Sequence, residues 1–337
     1  MSDGRRRALL AAAAAVLVAV AVVGVALVVS RESSSPHPGA RPPAAGRPGA
    51  MPLVPAQGVY FGAWVKPATF TQAGYLSAVD QLQQRIGRRL DIVHIYLKPA
   101  ATFPTASDLA FIRQGSTLLV SWALSDTRGI LAGRYDSLIR ERAQEIRAIG
   151  KPVFLEWRWE MDRPNLRAEV GSPAGYIAAW KHIRRIFVQQ HADNAVWVWC
   201  PTAKGFTGGY APAYYPGNSQ VDWICADAYP GWGQQRSFAT IIQPFLNWAA
   251  QHAKPIMIGE YGVPVSYGDN GRARWLRSAA QTVLSHPQIK ALVYFDSNGT
   301  GLAPQTSFVL DASALQAFRA IADARYFNPR GVPVARH

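Results

Sequence analysis

Two glutamates, Glu160 and Glu260, each close a short run of mostly apolar residues: Phe154-Leu155-Glu156-Trp157-Arg158-Trp159-Glu160 and Pro255-Ile256-Met257-Ile258-Gly259-Glu260. A carboxylate at the end of a buried strand carries a desolvation cost unless it is paired or used. One such residue reads equally well as half of a structural ion pair. Two of them, each closing its own strand-like run, fit the paired carboxylates of glycosidic-bond cleavage. In the retaining form of that chemistry one carboxylate attacks the anomeric carbon and the other carboxyl group protonates the leaving oxygen.

Such a pair needs a scaffold that brings distant strand ends together. From Gly58 onward the chain alternates short β-branched or aromatic runs with longer amphipathic stretches, the pattern of parallel strands joined by crossover helices. The runs predict strands over Gly58–Trp64, Asp91–Leu97, Ser116–Ala123, Pro152–Trp159, Ala195–Cys200, Asp222–Asp227, Pro255–Glu260 and Ile289–Phe295. Helices are expected near Tyr75–Ile86, Ala106–Arg113, Asp136–Ile149, Pro173–His191 with Ser172 as N-cap, Phe238–His252, Gly271–Ser285 and Ser313–Ala324. Between the fifth and sixth strands the chain reads as a loop holding Tyr210, Tyr214 and Tyr215. Eight such units in about 270 residues predict an α/β fold of the (β/α)8 TIM-barrel type, whose chemistry sits at the C-terminal ends of the strands. An open doubly wound sheet gives no reason for eight units, and no G-x-G-x-x-G follows the first strand. Glu160 then follows strand four and Glu260 strand seven.

Several blocks in this frame resemble glycoside hydrolase family 26, which includes β-mannanases. They are Glu160-Met161; Tyr176 and Trp180 on the following helix; Trp197-Val198-Trp199-Cys200-Pro201; Tyr214-Tyr215-Pro216-Gly217; Val221-Asp222-Trp223-Ile224; and Pro255 to Gly262. Their order and spacing are colinear with the family, with weaker likeness at Gly58–Gly62. The resemblance implies that Glu160 is the acid/base and Glu260 the nucleophile, with the hydroxyl of Tyr229 supporting Glu260, in a retaining, endo-β-mannanase-like enzyme. The chain departs from the family pattern near the acid. Glu156, Trp159, Asp162 and Arg163 stand where the family carries Arg, His, Asn and Gly, and the arginine is shifted to Arg158. These departures leave both carboxylates in place and the sugar open.

Pyranose rings stack on aromatic faces, and Trp64, Trp122, Trp199, Tyr229 and Trp232 all fall at or just beyond predicted strand ends. Arg158, Asp227 and Asp296 lie at the same level and complete the expected substrate-binding set. Strand alternation predicts that Phe154, Glu156, Arg158 and Glu160 face inward while Leu155, Trp157 and Trp159 face the helices, with Glu156 and Arg158 as an ion pair beneath the acid. His94 reads as a core histidine.

The chain's 337 residues are 49% hydrophobic and 17% charged, which provides for a large core and excludes a disordered chain. Arg5 to Arg7 precede an uncharged run, Ala8–Val29, long enough at about 33 Å to cross a bilayer. Residues 1–30 are expected to be a membrane anchor with the remainder outside the cell, or else a cleaved signal with a secreted product. Residues 31–56 read as a Pro/Gly/Ala-rich linker, 57–328 as the barrel domain and 329–337 as a tail. The net charge of +14 is scattered, without a nucleic-acid-binding motif, so no nucleic-acid partner is expected. Cys200 and Cys225 fall on consecutive strands, where a disulfide and two buried thiols fit equally well. No spacing suggests a metal site, and the reaction calls for no cofactor. The expected activity is retaining hydrolysis of a β-linked polysaccharide, mannan-like or β-glucan, by a monomer. The alternative is a tethered barrel that binds glycan without cleaving it and assists a membrane-bound synthase in exopolysaccharide synthesis or export.

Overall fold

Apolar residues alternate along eight strands, and that period of two sorts the core into two layers. A computed structural model describes residues 53–231, 235–298 and 307–332. The strands β1 (Tyr60–Val65), β2 (Ile92–Leu97), β3 (Thr117–Trp122), β4 (Val153–Trp157), β5 (Ala195–Trp199), β6 (Trp223–Ala228), β7 (Ile256–Tyr261) and β8 (Ile289–Asp296) are all parallel and close into a barrel in sequence order. The expected (β/α)8 barrel is present. Inside lie Tyr60, Ile92, Leu119, Phe154, Val196, Val198, Trp223, Met257 and Val293. Their neighbours one residue on, such as Phe61, Val93, Val120, Leu155, Trp197, Ile224, Ile258 and Tyr294, face outward and pack under the helices.

The crossover helices start and stop where local chemistry dictates. Ser172 caps the helix Pro173–Gln189 by accepting the amide of Gly175, and proline occupies its first position. The helix Asp136–Ile149 ends at Gly150, whose φ of 66° suits the left-handed cap. Tyr176 and Trp180 project from Pro173–Gln189 onto the outer face of the barrel. Tyr176 stacks on Trp157 at 4.9 Å, Trp180 meets Trp197 edge-on at 5.4 Å, and the Trp157 indole donates to the carbonyl of Leu124. This aromatic wall fixes β4 and β5 from behind, so the two family-like positions on the helix serve packing. Between β5 and β6 the expected loop contains one helical turn, Ala203–Thr207, and a 3-10 turn, Ala211–Tyr214.

At the opposite end of the barrel, Leu53 and Val54 pack against the inner cluster, so the last part of the compositional linker adheres to the domain. Arg330, expected in a free tail, lies over the Tyr60 ring at 4.7 Å and donates to the carbonyl of Gly115. The anchor or signal segment 1–30, most of the linker and Trp232 lie outside the described residues. Among the described residues no helix is long and apolar enough to cross a membrane.

Candidate active site

Strict alternation breaks on β4 and β7, and the breaks aim the two glutamates. On β7, Met257 faces in and Ile258 faces out. A Cβ on Gly259 would point inward, 2.6 Å from the Cys225 sulfur. Glu260 also points inward, and Tyr261 returns to the outer layer. The pairing registers of β7 with both neighbours shift around this point, the mark of a bulge that re-aims a side chain. Gly259 permits two successive inward positions where a larger residue would strike the floor of the site.

On β4 the regular strand stops at Trp157. Arg158 and Glu160 have φ of 48° and 50°, a left-handed conformation that costs non-glycine residues about 1–3 kcal/mol each. The amide of Glu160 donates to the carbonyl of Cys200 at 2.7 Å and that of Arg158 to Trp122 at 3.0 Å, which hold the strained turn. The twisted backbone corrects the expected alternation beyond Trp157. Trp159 swings to the barrel mouth, its ring 5.2 Å from Tyr96 and beneath the Arg158 guanidinium. The expected Glu156–Arg158 ion pair is absent. Arg158 lies nearest Glu169 at 3.9 Å, and Glu156 accepts the Ser121 hydroxyl at 2.5 Å.

Glu260 is held from both sides. Tyr96 donates to Oε1 at 2.5 Å and Tyr229 to Oε2 at 2.7 Å. Across the mouth, Glu160 Oε2 pairs with Arg163 Nη1 at 2.6 Å, and its side chain is 12% exposed. Burial, followed by the negative charge of Glu160, pushes the Glu260 carboxyl up to about 7, against the two tyrosine donors. Glu160 is also raised, by burial above all, with Arg163 opposing. Deeper in the barrel, burial pushes Glu156 up to about 8 and raises Asp227 strongly, with neighbouring carboxylates adding to both. Four carboxyl groups thus lie at or beneath one strand-end mouth, and burial, the largest cause for each, raises all four. His94 donates to or accepts from Ser121 at 2.7 Å, and burial alone lowers it to about 3, so it is a neutral core histidine.

Cys200 and Cys225 form a disulfide beneath the mouth, resolving the two readings the sequence left open. Cys200 Sγ lies 3.3 Å from Asp227 and Cys225 Sγ 3.7 Å from Glu156. Among the described residues Glu156, Cys200 and Cys225 are the one grouping of three potential metal ligands, and the disulfide deprives its sulfurs of thiolate charge.

The remaining expected residues separate into two groups. Trp64 stacks on Phe295 at 4.6 Å and meets Tyr96 edge-on, which puts it beside the Glu260 support. Asp227 and Tyr229 line a cavity of about 700 Å³ that opens from Glu160. Trp122 and Trp199, by contrast, are fully buried on the outer layer. The Trp122 indole donates to Pro99, and Trp199 packs among Phe206, Tyr215 and Trp248, so neither ring reaches the cleft. Both sit one residue out of phase with the inward face. Asp296 accepts the amide of Leu310 and lines a different cavity, with Lys66 and Asn298. The sequence reading missed Tyr96, although it shares the inward phase of β2 with His94. It also missed what Asp162 and Arg163 do: Asp162 accepts both the amide and the hydroxyl of Thr202, at 2.9 and 2.6 Å, and Arg163 donates to Glu160.

No protein-family model matches the chain. It is 30% identical over 292 residues to endoglucanase H of Acetivibrio thermocellus, covering 81% of this chain and 31% of that protein. It is 26% identical over 156 residues to a β-1,3-xylanase, TXYA, of a Vibrio species, covering 43% of this chain and 31% of that protein. The chain therefore spans about a third of the length of these curated relatives. Among solved structures, a GH26 β-mannanase from Bacteroides ovatus superposes with a TM-score of 0.61 at 12% identity, over 80% of this chain and 90% of the other. The chain has the fold of the family 26 glycoside hydrolases, in agreement with the colinear blocks of its sequence.

Proposed function

We propose that the protein is a retaining glycoside hydrolase that cleaves a β-linked polysaccharide by double displacement. The observation that carries this reading is the placement of Glu160, just beyond β4, and Glu260, at the end of β7, on the same mouth of one closed barrel. Glu260, fixed by Tyr96 and Tyr229, attacks the anomeric carbon, and Glu160 protonates the departing oxygen. Glu160 then deprotonates the water that releases the sugar, and Glu260 returns as leaving group. Nucleophilic attack needs an ionised Glu260, and the two tyrosine hydroxyls favour that form. The names of the curated relatives, an endoglucanase and a β-1,3-xylanase, support a β-linked glycan as substrate.

In this reading the domain works outside the cytoplasm, held by the apolar run Ala8–Val29 or released after its cleavage. The Cys200–Cys225 disulfide supports an oxidising compartment. A second reading, binding without turnover beside a glycan synthase, draws on Arg163, whose ion pair occupies the acid. Release of reducing ends from β-mannan, β-glucan and β-1,3-xylan separates the two. The hydrolase reading expects turnover that falls at least about 10³-fold in Glu160→Gln and Glu260→Gln. Glycan binding with no turnover on any polymer supports the second reading.

A further inference from the structure

The cavity that opens from Glu160 carries more positive charge than a neutral sugar requires. Arg163, Lys204 and Arg236 line it together with two carboxyl groups, Glu160 and Asp227. Arg163 is committed to Glu160, and Asp227 is held toward its neutral form by burial and by the neighbouring carboxylates. Neither Lys204 nor Arg236 has a carboxylate partner among the described residues. Two cations that line the cleft therefore have no carboxylate to compensate them among the described residues.

Both stand on fixed backbone. Lys204 stands on the turn Ala203–Thr207, whose cap Thr202 is gripped by the buried carboxylate of Asp162. Gly205 packs so closely on that carboxylate that a Cβ would come within 2.0 Å of it. The carbonyl of Arg236 accepts the Trp275 indole at 3.0 Å and the Tyr267 hydroxyl at 3.2 Å, so its backbone is fixed. The Arg236 Nε is shielded from solvent and has no hydrogen-bond partner. An anionic oxygen suits a shielded guanidinium donor that lacks a partner, and Arg binds carboxylates through paired N–H groups.

We infer that this cavity is a subsite for an acidic sugar, a pyranose bearing a carboxylate at C6, on the leaving-group side of the scissile bond. Glu160 lines the cavity and protonates the leaving oxygen, whereas Glu260 does not line it, which sets the side. The net charge of +14 adds long-range attraction for a polyanion. The side of the bond rests on the hydrolase reading, and the preference for acid rests on the cations alone.

The test uses matched oligosaccharides that differ only at C6: β-1,4-mannuronate hexamer against β-1,4-mannohexaose, and β-1,4-glucuronate hexamer against cellohexaose. Calorimetric binding to the full chain carrying Glu260→Gln should favour the acidic member of at least one pair by about tenfold or more. The preference should shrink with added salt and vanish in Lys204→Gln/Arg236→Gln. Equal or tighter binding of both neutral members overturns the inference, as does binding of no acidic oligomer or a preference that survives the double substitution. Hydrolysis assays on the unsubstituted protein keep the two readings apart. Turnover of neutral glycans without acid preference overturns only the subsite, and acid-selective binding without any turnover overturns only the hydrolase.

Discussion

Glu260 sits between two phenols that both donate to its carboxylate, and that arrangement sets how its proton responds to change. Both hydroxyls favour the ionised form, opposing burial and the charge of Glu160. Removing one must therefore raise the Glu260 pKa further above about 7. In Tyr229→Phe the acidic limb of the kcat/KM profile should move to higher pH, by about one unit or less for one hydrogen bond. A limb that stays put or moves down would mean that Glu260 does not govern it. Arg163 acts in the same sense on its own partner, because its charge lowers the Glu160 pKa. Arg163→Gln should raise the basic limb, where Glu160 must still hold its proton, and the same pH profile reads it. The two carboxylates and Tyr229 were legible from strand-end position and family-like blocks. Tyr96 needed only the phase of β2. Trp159 was misplaced because alternation was carried past Trp157 into a backbone that had already left the strand.

At the scale of elements, the bulge in β7 decides whether Glu260 reaches the mouth at all. Gly259 lies over the disulfide and Asp227, and an added Cβ would sit 2.6 Å from one sulfur, 2.9 Å from the other and 2.9 Å from Asp227 Oδ1. Gly259→Ala should thus destabilise the fold by about 1–3 kcal/mol and reduce turnover more than its stability loss explains. Denaturant unfolding and turnover measured on the folded fraction check the two parts. An unchanged midpoint would show that the bulge has room to spare. The strands were readable because inward and outward residues alternate over five to eight positions with helices between them. The bulge was not, since Pro255 to Gly259 reads as an uninterrupted apolar run before a glutamate, and a register shift leaves no compositional trace. The same limit explains Trp122 and Trp199: position at a strand end was legible, but the face depended on register.

For the whole molecule, the buried acids link stability to pH. Glu156 is pushed up to about 8, Glu260 to about 7 and Asp296 to about 6, all above their values in an unfolded chain. Between the unfolded and folded values the native state binds more protons, so stability falls as pH rises. The protein should be more stable at pH 5 than at pH 8, with a slope of up to about 1.4 kcal/mol per pH unit for each group in its window. Glu156→Gln should flatten this dependence by gaining stability relative to the unsubstituted protein at pH 8 and little at pH 5. Urea unfolding at both pH values tests it, and a dependence of the opposite sign would remove the protonated floor. The barrel as a whole was legible because its eight units repeat one pattern. Closure of the sheet, the disulfide and the packing of Leu53 and Arg330 depend on contacts between residues far apart in sequence, which local patterns do not encode.

The most direct test of the paired-carboxylate account is the anomeric configuration of the sugar first released from a β-linked glycan, followed by proton NMR before mutarotation sets in. Double displacement at Glu260 with Glu160 as acid and base predicts that the β-anomer appears first and the α-anomer only later. Initial release of the α-anomer would contradict it, because water would then have attacked in a single step and Glu260 would form no bond to the sugar.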